Sequence, residues 1–205
     1  MLTVHHLNNS RSQRILWMLE ELGVDYTVAH YERDNATMLA PPELKAIHPL
    51  GKSPVIDDDG LIVAETGAIV EYLSEQYDGL RPPGTAERRQ ATYWTHFAEG
   101  SAMTPLLLKL YLTRLGDPAA PLMARVNDQI GAMLTHVQAE LGEAPYLAGG
   151  ELSVADIMMS FPLEAALARG GAEAYPGIVA YLARIHARPA YQAALERGGP
   201  YELLR

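Results

Sequence analysis

A chain of 205 residues, 48% hydrophobic and 20% charged, can bury one large core or two small ones, and its composition argues against wholesale disorder. The formal net charge of -9 argues against nonspecific nucleic-acid binding, which needs a basic face to displace counterions, so no nucleic-acid partner is expected. The complete absence of cysteine excludes disulfides, thiolate metal sites and any thiol nucleophile carried by the protein itself.

Leu2 to His6 reads as a short strand. The opening MLTVHHLNNS carries no secretory signal, and no uncharged apolar run approaches the roughly 20 residues that span a bilayer. A soluble, cytoplasmic protein without membrane contact is expected. From Ile15 the apolar residues Ile15, Met18, Leu19 and Leu22 recur at helical spacing, and Gly23 closes that element. Tyr26 to Tyr31 returns to strand-like residues, followed by an irregular segment. Pro54 to Ile56 and Leu61 to Val63 flank Asp57-Asp58-Asp59-Gly60 and predict a hairpin. Thr66 then opens a helix carrying Ile69, Val70 and Leu73. The order is βαβ followed by ββα.

Arg81-Pro82-Pro83-Gly84 interrupts all periodicity and reads as a linker. Beyond it the strand signal nearly vanishes. Val126, Ile130, Met133, Val137 and Leu141 advance by three or four, as do Ile178, Tyr181, Leu182 and Ile185, which predicts an all-helical bundle. Ser153-Val154-Ala155-Asp156 opens one of its helices with a pattern close to a capping box.

Three stretches of the first part hold candidate chemistry. Asn8-Asn9-Ser10-Arg11-Ser12-Gln13-Arg14 lies where a strand turns into a helix. Ser10 and Gln13 have capping-box spacing, and the same turn presents a hydroxyl, unpaired amides and two arginines near the positive end of a helix, a place suited to an anion. Ser53-Pro54 is either a plain strand entry or, with a cis bond, a point where Ser53 offers its backbone to an extended peptide. In Ala64-Glu65-Thr66 a carboxylate stands beside a helix start. Thr66 as a simple N-cap is one reading, and an amino-acid head group held by Glu65 and the helix amides is the other.

Together and in this order, SRSQRILWMLEELGVDY, APPELKAIHPLGKSPVI and AETGAIVEYL resemble the soluble glutathione S-transferases, in a bacterial and fungal branch, and LSVADIMMSFPL resembles the buried helix start of that family's second domain. The resemblance implies an α/β plus all-α fold. Residues 1–81 would form a thioredoxin-like glutathione-binding domain, and residues 87–205 an all-helical domain contributing the hydrophobic substrate site. It implies glutathione as co-substrate with no metal, and Ser10 as the hydroxyl facing the glutathione sulfur, with Asn8 or Asn9 as alternative donors. Arg11, Arg14, Lys52, Ser53, Pro54, Glu65 and Thr66 would line the glutathione site, with Pro54 in the cis form. Trp94, Phe97, Ser101, Met103 and Tyr111 would surround the electrophile, while Ser153 and Asp156 would form a structural cap. Where tyrosine-type members of the family place a phenol, this chain has His5 and His6. The implied activity is transfer of glutathione to small hydrophobic electrophiles, a detoxification chemistry, in a homodimer. Glutathione-dependent peroxide or disulfide reduction, and a non-catalytic ligand-binding or protein-interaction role, are the alternatives.

Overall fold

The computed structural model describes residues 1–34, 36–168 and 170–204. Its contacts divide the chain into two units, one made of Met1–Arg81 with Ile185–Arg205, the other of Pro82–Arg184. The first unit holds β1 (Leu2–Leu7), α1 (Gln13–Leu22), β2 (Tyr26–Tyr31), α2 (Leu44–Ile47), β3 (Val55–Asp58), β4 (Leu61–Ala64), α3 (Thr66–Gln76) and α9 (Pro189–Gly198). The sheet runs β2-β1-β3-β4. β1 and β2 are parallel, which requires a crossover, and α1 supplies it. The remaining pairings are antiparallel, and the β3–β4 hairpin closes through Asp59 and Gly60, both at positive φ as its tight turn demands. This is the thioredoxin-like arrangement.

Ile15, Leu16, Trp17, Met18 and Leu19 of α1 are all buried, more than one amphipathic face can hide. The reason is that α1 is enclosed, packing on β1 and α3 and also along α9. Trp17 meets Tyr191 of α9 edge-on at 5.3 Å and donates to Glu21 Oε1 at 2.8 Å. Glu21 in turn takes both Nε and Nη2 of Arg188, at 2.5 and 2.7 Å. The sequence groups these last residues with the bundle, whereas by contact they belong to the first unit. α2, a single turn within the segment read as irregular, is too short to show a period.

The second unit is helical: α4 (Thr85–Phe97), a π-helical turn (Ala98–Ala102), α5 (Met103–Leu115), α6 (Ala120–Leu141), α7 (Val154–Leu167) and most of α8 (Pro176–His186). α4 packs on α7 and α5 on α6, with the stripe Val126, Ile130, Met133, Val137 and Leu141 of α6 buried. α7 is buried on nearly every side and begins with a reciprocal cap. Ser153 Oγ accepts from the Ala155 amide while the Asp156 carboxylate accepts from the Ser153 amide at 2.9 Å, the Leu147 amide at 2.9 Å and the Tyr181 hydroxyl at 2.8 Å. Burial pushes the Asp156 carboxyl up, and these donors oppose that shift. No helix among the described residues is long and apolar enough to cross a membrane.

Candidate active site

Strand register gathers the three candidate stretches. His5 of β1 pairs with Val55 of β3, and Val55 pairs with Ala64 of β4. Because β3 runs antiparallel to both neighbours, the segment after β1, the segment before β3 and the segment after β4 leave the sheet at one end. Asn8 to Ser12, Lys52 to Pro54, and Glu65 with Thr66 are therefore neighbours in space, and α1 and α3 both begin there. The Ser53–Pro54 bond is cis.

The hydroxyls of this end form a connected group. Ser53 Oγ donates to the His5 carbonyl at 2.7 Å and accepts from the Leu7 amide at 3.2 Å. Ser12 Oγ shares that amide at 3.3 Å, and lies 2.7 Å from Ser10 Oγ and 2.9 Å from His6 Nδ1. Ser10, 6% exposed, accepts from the Ser12 amide at 3.2 Å. The capping box expected between Ser10 and Gln13 is not formed. α1 starts with 3₁₀-type bonds from Gln13, Arg14 and Ile15 to the carbonyls of Ser10, Arg11 and Ser12. Ser10 Oγ bonds two residues on instead of three, and the Gln13 side chain is buried with neither amide atom paired among the described residues. Tightening of the first turn draws the Gln13 amide to the Ser10 backbone and away from its side chain.

Asn8 and Asn9 act as braces. Asn8 Oδ1 accepts from the Arg33 amide at 3.2 Å, and Asn9 Oδ1 from the Glu202 amide at 2.8 Å. Each keeps its NH₂ group to donate to a ligand. Asn9 has φ +50°, a left-handed conformation that asparagine tolerates. Glu65, at φ +71°, has no such allowance, and a costly backbone state of this kind concentrates at functional sites. Glu65 and Lys52 are exposed, Ser53 and Arg11 half-buried, and Pro54 and Thr66 buried. Arg14 is 2% exposed and donates from Nε to the Arg11 carbonyl, so it braces the turn from within.

Two histidines flank the group. Burial lowers the His5 ring, with Asp57 opposing, and its Nδ1 meets the Tyr31 hydroxyl at 2.9 Å. Burial pushes His6 further, down to about 4, with His30 acting in the same direction and the Gly198 backbone against it. The sequence assigns Ser12 no role of its own, and sets His6 beside His5 only as a departure from the phenol of tyrosine-type members. The repeated serine of Ser10-Arg11-Ser12 and the pair His5-His6 were the only signals. Among the described residues no group of three His, Asp or Glu side chains could hold a metal ion.

Within the helical unit, the five residues expected around an electrophile do not share one surface. Phe97 and Ser101 line a groove of about 460 Å³ with Thr104, Pro105, Met133 and His136. Trp94 is fully buried behind Phe97, with ring centroids 5.1 Å apart, and leaves no ring surface for a ligand to touch. Met103 is buried, and Tyr111 is 55% exposed on α5.

Residues 1–75 match the N-terminal domain of glutathione S-transferases and residues 120–184 the C-terminal domain. The chain is 35% identical to glutathione S-transferase 1 of Saccharomyces cerevisiae over 96% of its own length and 95% of the relative's. A solved glutathione S-transferase from Actinobacillus pleuropneumoniae matches with a TM-score of 0.92 at 38% identity, over 100% of this chain and 96% of that one. A glutathione transferase family member from Pseudomonas fluorescens, solved with two glutathione molecules bound, shares the fold with a TM-score of 0.83 at 23% identity, over 95% and 92%.

Proposed function

The chain belongs to the glutathione S-transferase family, and from that premise we propose that it transfers glutathione to small hydrophobic electrophiles, with Ser10 stabilising the thiolate. The observation that carries this reading is the register that brings Ser10, Ser53 and Glu65-Thr66 to one end of the sheet. On this reading Glu65 pairs with the γ-glutamyl ammonium, while Thr66 and the amides opening α3 hold the adjacent carboxylate. The Ser53 backbone, beside Pro54, pairs with the cysteinyl residue, and Lys52 meets the glycyl carboxylate. Arg11, Arg14 and the start of α1 add positive potential near the sulfur.

A serine hydroxyl is too weak an acid to be ionised at neutral pH, so Ser10 serves as a donor and not as a base. An unperturbed thiol titrates near 8.5. One hydrogen bond to a charged group contributes roughly 1.5–3 kcal/mol, which lowers the thiol pKa by about one to two units. The thiolate then attacks the electrophile, for which the helical unit supplies the groove lined by Phe97 and Ser101, with Trp94 supporting Phe97. The reactive sulfur arrives with the co-substrate, which fits a chain with no cysteine of its own. The enzyme works in the cytoplasm as a homodimer.

Steady-state kinetics of Ser10→Ala with glutathione and a chloronitrobenzene tests the reading. Loss of one to two pKa units predicts a fall in kcat/KM of about 8- to 25-fold at pH 7, with KM for glutathione changed less than about twofold. Unchanged turnover would discard Ser10 as the activator. A parent protein that binds glutathione but conjugates nothing would replace the transferase with a binding module.

A further inference from the structure

Ser12 Oγ has four polar neighbours: Ser10 Oγ at 2.7 Å, His6 Nδ1 at 2.9 Å, and the amide and carbonyl of Leu7 at 3.3 Å each. A serine hydroxyl has one proton and two lone pairs, so the Leu7 carbonyl competes with any other acceptor for the Ser12 proton. The Leu7 amide takes one lone pair. The His6 ring decides the rest. It is 3% exposed and neutral at physiological pH, so one nitrogen carries a proton and the other is a bare acceptor. Among the described residues the titratable group against it is His30 of β2, with ring centroids 5.7 Å apart. The Gly198 backbone faces the ring and favours its protonation, as a carbonyl acceptor does, and a Cβ on Gly198 would lie 3.4 Å from His6 Cε1. With Nδ1 turned to Ser12, it is Nε2 that donates to Gly198. Nδ1 is then bare and at 2.9 Å takes the Ser12 proton in preference to the Leu7 carbonyl at 3.3 Å, and the second lone pair of Ser12 takes the proton of Ser10. The hydroxyl assigned to the sulfur is turned inward.

The reverse order uses the same heavy atoms in the same places. With the ring proton on Nδ1, His6 donates to Ser12, Ser12 to Ser10, and Ser10 outward. One ring proton changes nitrogen and two hydroxyls rotate.

Building on Ser10 as the thiolate's donor, we propose that Ser12 and His6 are positioning residues, and that a bound thiolate reverses this chain so that the Ser10 proton points at the sulfur. A hydrogen bond to a charged acceptor is roughly twice as strong as a neutral one, so the thiolate wins the proton order from the Gly198 carbonyl. Successive bonds in a buried chain polarise one another, so Ser10 donates more strongly with Ser12 and His6 behind it than alone. Gly198, on α9, allows the close approach that holds the resting tautomer.

The decisive measurement uses the unaltered protein labelled with ¹⁵N, following the His6 ring nitrogens by NMR with and without glutathione, at a pH where the bound thiol is ionised. The His6 signal is assigned by its loss in His6→Asn. The proton is expected on Nε2 without glutathione and on Nδ1 with it; the same tautomer in both overturns the proposal. Variants supply the second arm, with the bound thiol followed by its thiolate ultraviolet absorbance. Ser12→Ala and His6→Phe should raise the thiol pKa by about 0.5–1 unit, about 3- to 10-fold less thiolate at a fixed pH well below that pKa, with KM for glutathione within about twofold. Ser12→Thr and His6→Asn keep the polar atom and should recover more than half of the shift. If Ser12→Ala and His6→Phe leave the thiol pKa unchanged while Ser10→Ala raises it, the chain is overturned and Ser10 keeps its role. If Ser10→Ala has no effect either, the reading of Ser10 fails and the chain with it.

Discussion

Acidification from pH 7 to pH 5 should remove about 2 kcal/mol of folding stability through His6 alone. The fold pushes this ring down to about 4, chiefly by burial, whereas an unfolded histidine titrates near 6.5. Between those values the unfolded chain binds a proton that the folded chain does not, so stability falls as acid is added. The contribution is intact above pH 6.5, declines as pH falls, and its loss levels off below pH 4 at about 3 kcal/mol, from about 1.4 kcal/mol per unit. At pH 5 most of the unfolded rings are charged and few of the folded ones are, which gives the intermediate figure. Other groups titrate in the same range, so the assay is a difference of differences. Urea unfolding of the parent and of His6→Asn is measured at both pH values. The parent should lose about 2 kcal/mol more than the variant, well outside the error of extrapolation. Equal losses in both proteins would refute the claim that His6 is held neutral by the fold.

Asp156→Ala should cost about 3–5 kcal/mol, because it strands the amides of Leu147 and Ser153 and the Tyr181 hydroxyl in the interior. A shift in chemical unfolding below about 1 kcal/mol would show those donors to be satisfied elsewhere. Gln13→Met should stabilise the protein by about 1–2 kcal/mol, since the amide is 3% exposed with neither atom paired. A drop in melting temperature would refute it. Gly198→Ala should destabilise by about 1–3 kcal/mol although alanine favours helices. The added Cβ would fall 2.5 Å from Gln13 Oε1 and 3.0 Å from Leu16 Cδ1, and unfolding in urea decides the sign.

Much of the fold is legible because local chemistry and tertiary packing agree. Gly23 ends α1 at φ +65°, Asp59-Gly60 makes the tight turn, and the stripe from Val126 to Leu141 is the buried face of α6. α9 shows where local patterning stops. Nothing in Tyr191 or Arg188 says that they meet Trp17 and Glu21, more than 160 positions away. The site divides in the same way. The sequence offers Ser10, Ser53 and Glu65 as separate weak signals, and the pairing of His5 with Val55 and of Val55 with Ala64 gives them a common end. The cap drawn from Ser10 to Gln13 had the right spacing but the wrong partner. The Ser10 hydroxyl takes the Ser12 backbone amide instead, the two-residue bond that serines favour in turns. The Ser12–His6 junction was out of reach because it joins a turn, a strand and the end of α9.

The division of the chain also fixes an order of assembly. On the ribosome the sheet and α1 emerge long before residues 185–205, which complete the same unit. Until α9 arrives, the flank of α1 bearing Trp17 is uncovered and Glu21 lacks its arginine. Packing of this unit is therefore completed only when residues 185–205 have been made, unlike that of a domain encoded in one stretch. A fragment cut at the proline-rich linker would leave the α1 flank bearing Trp17 and Glu21 uncovered. Any graft of this unit into another protein has to carry both pieces of the gene.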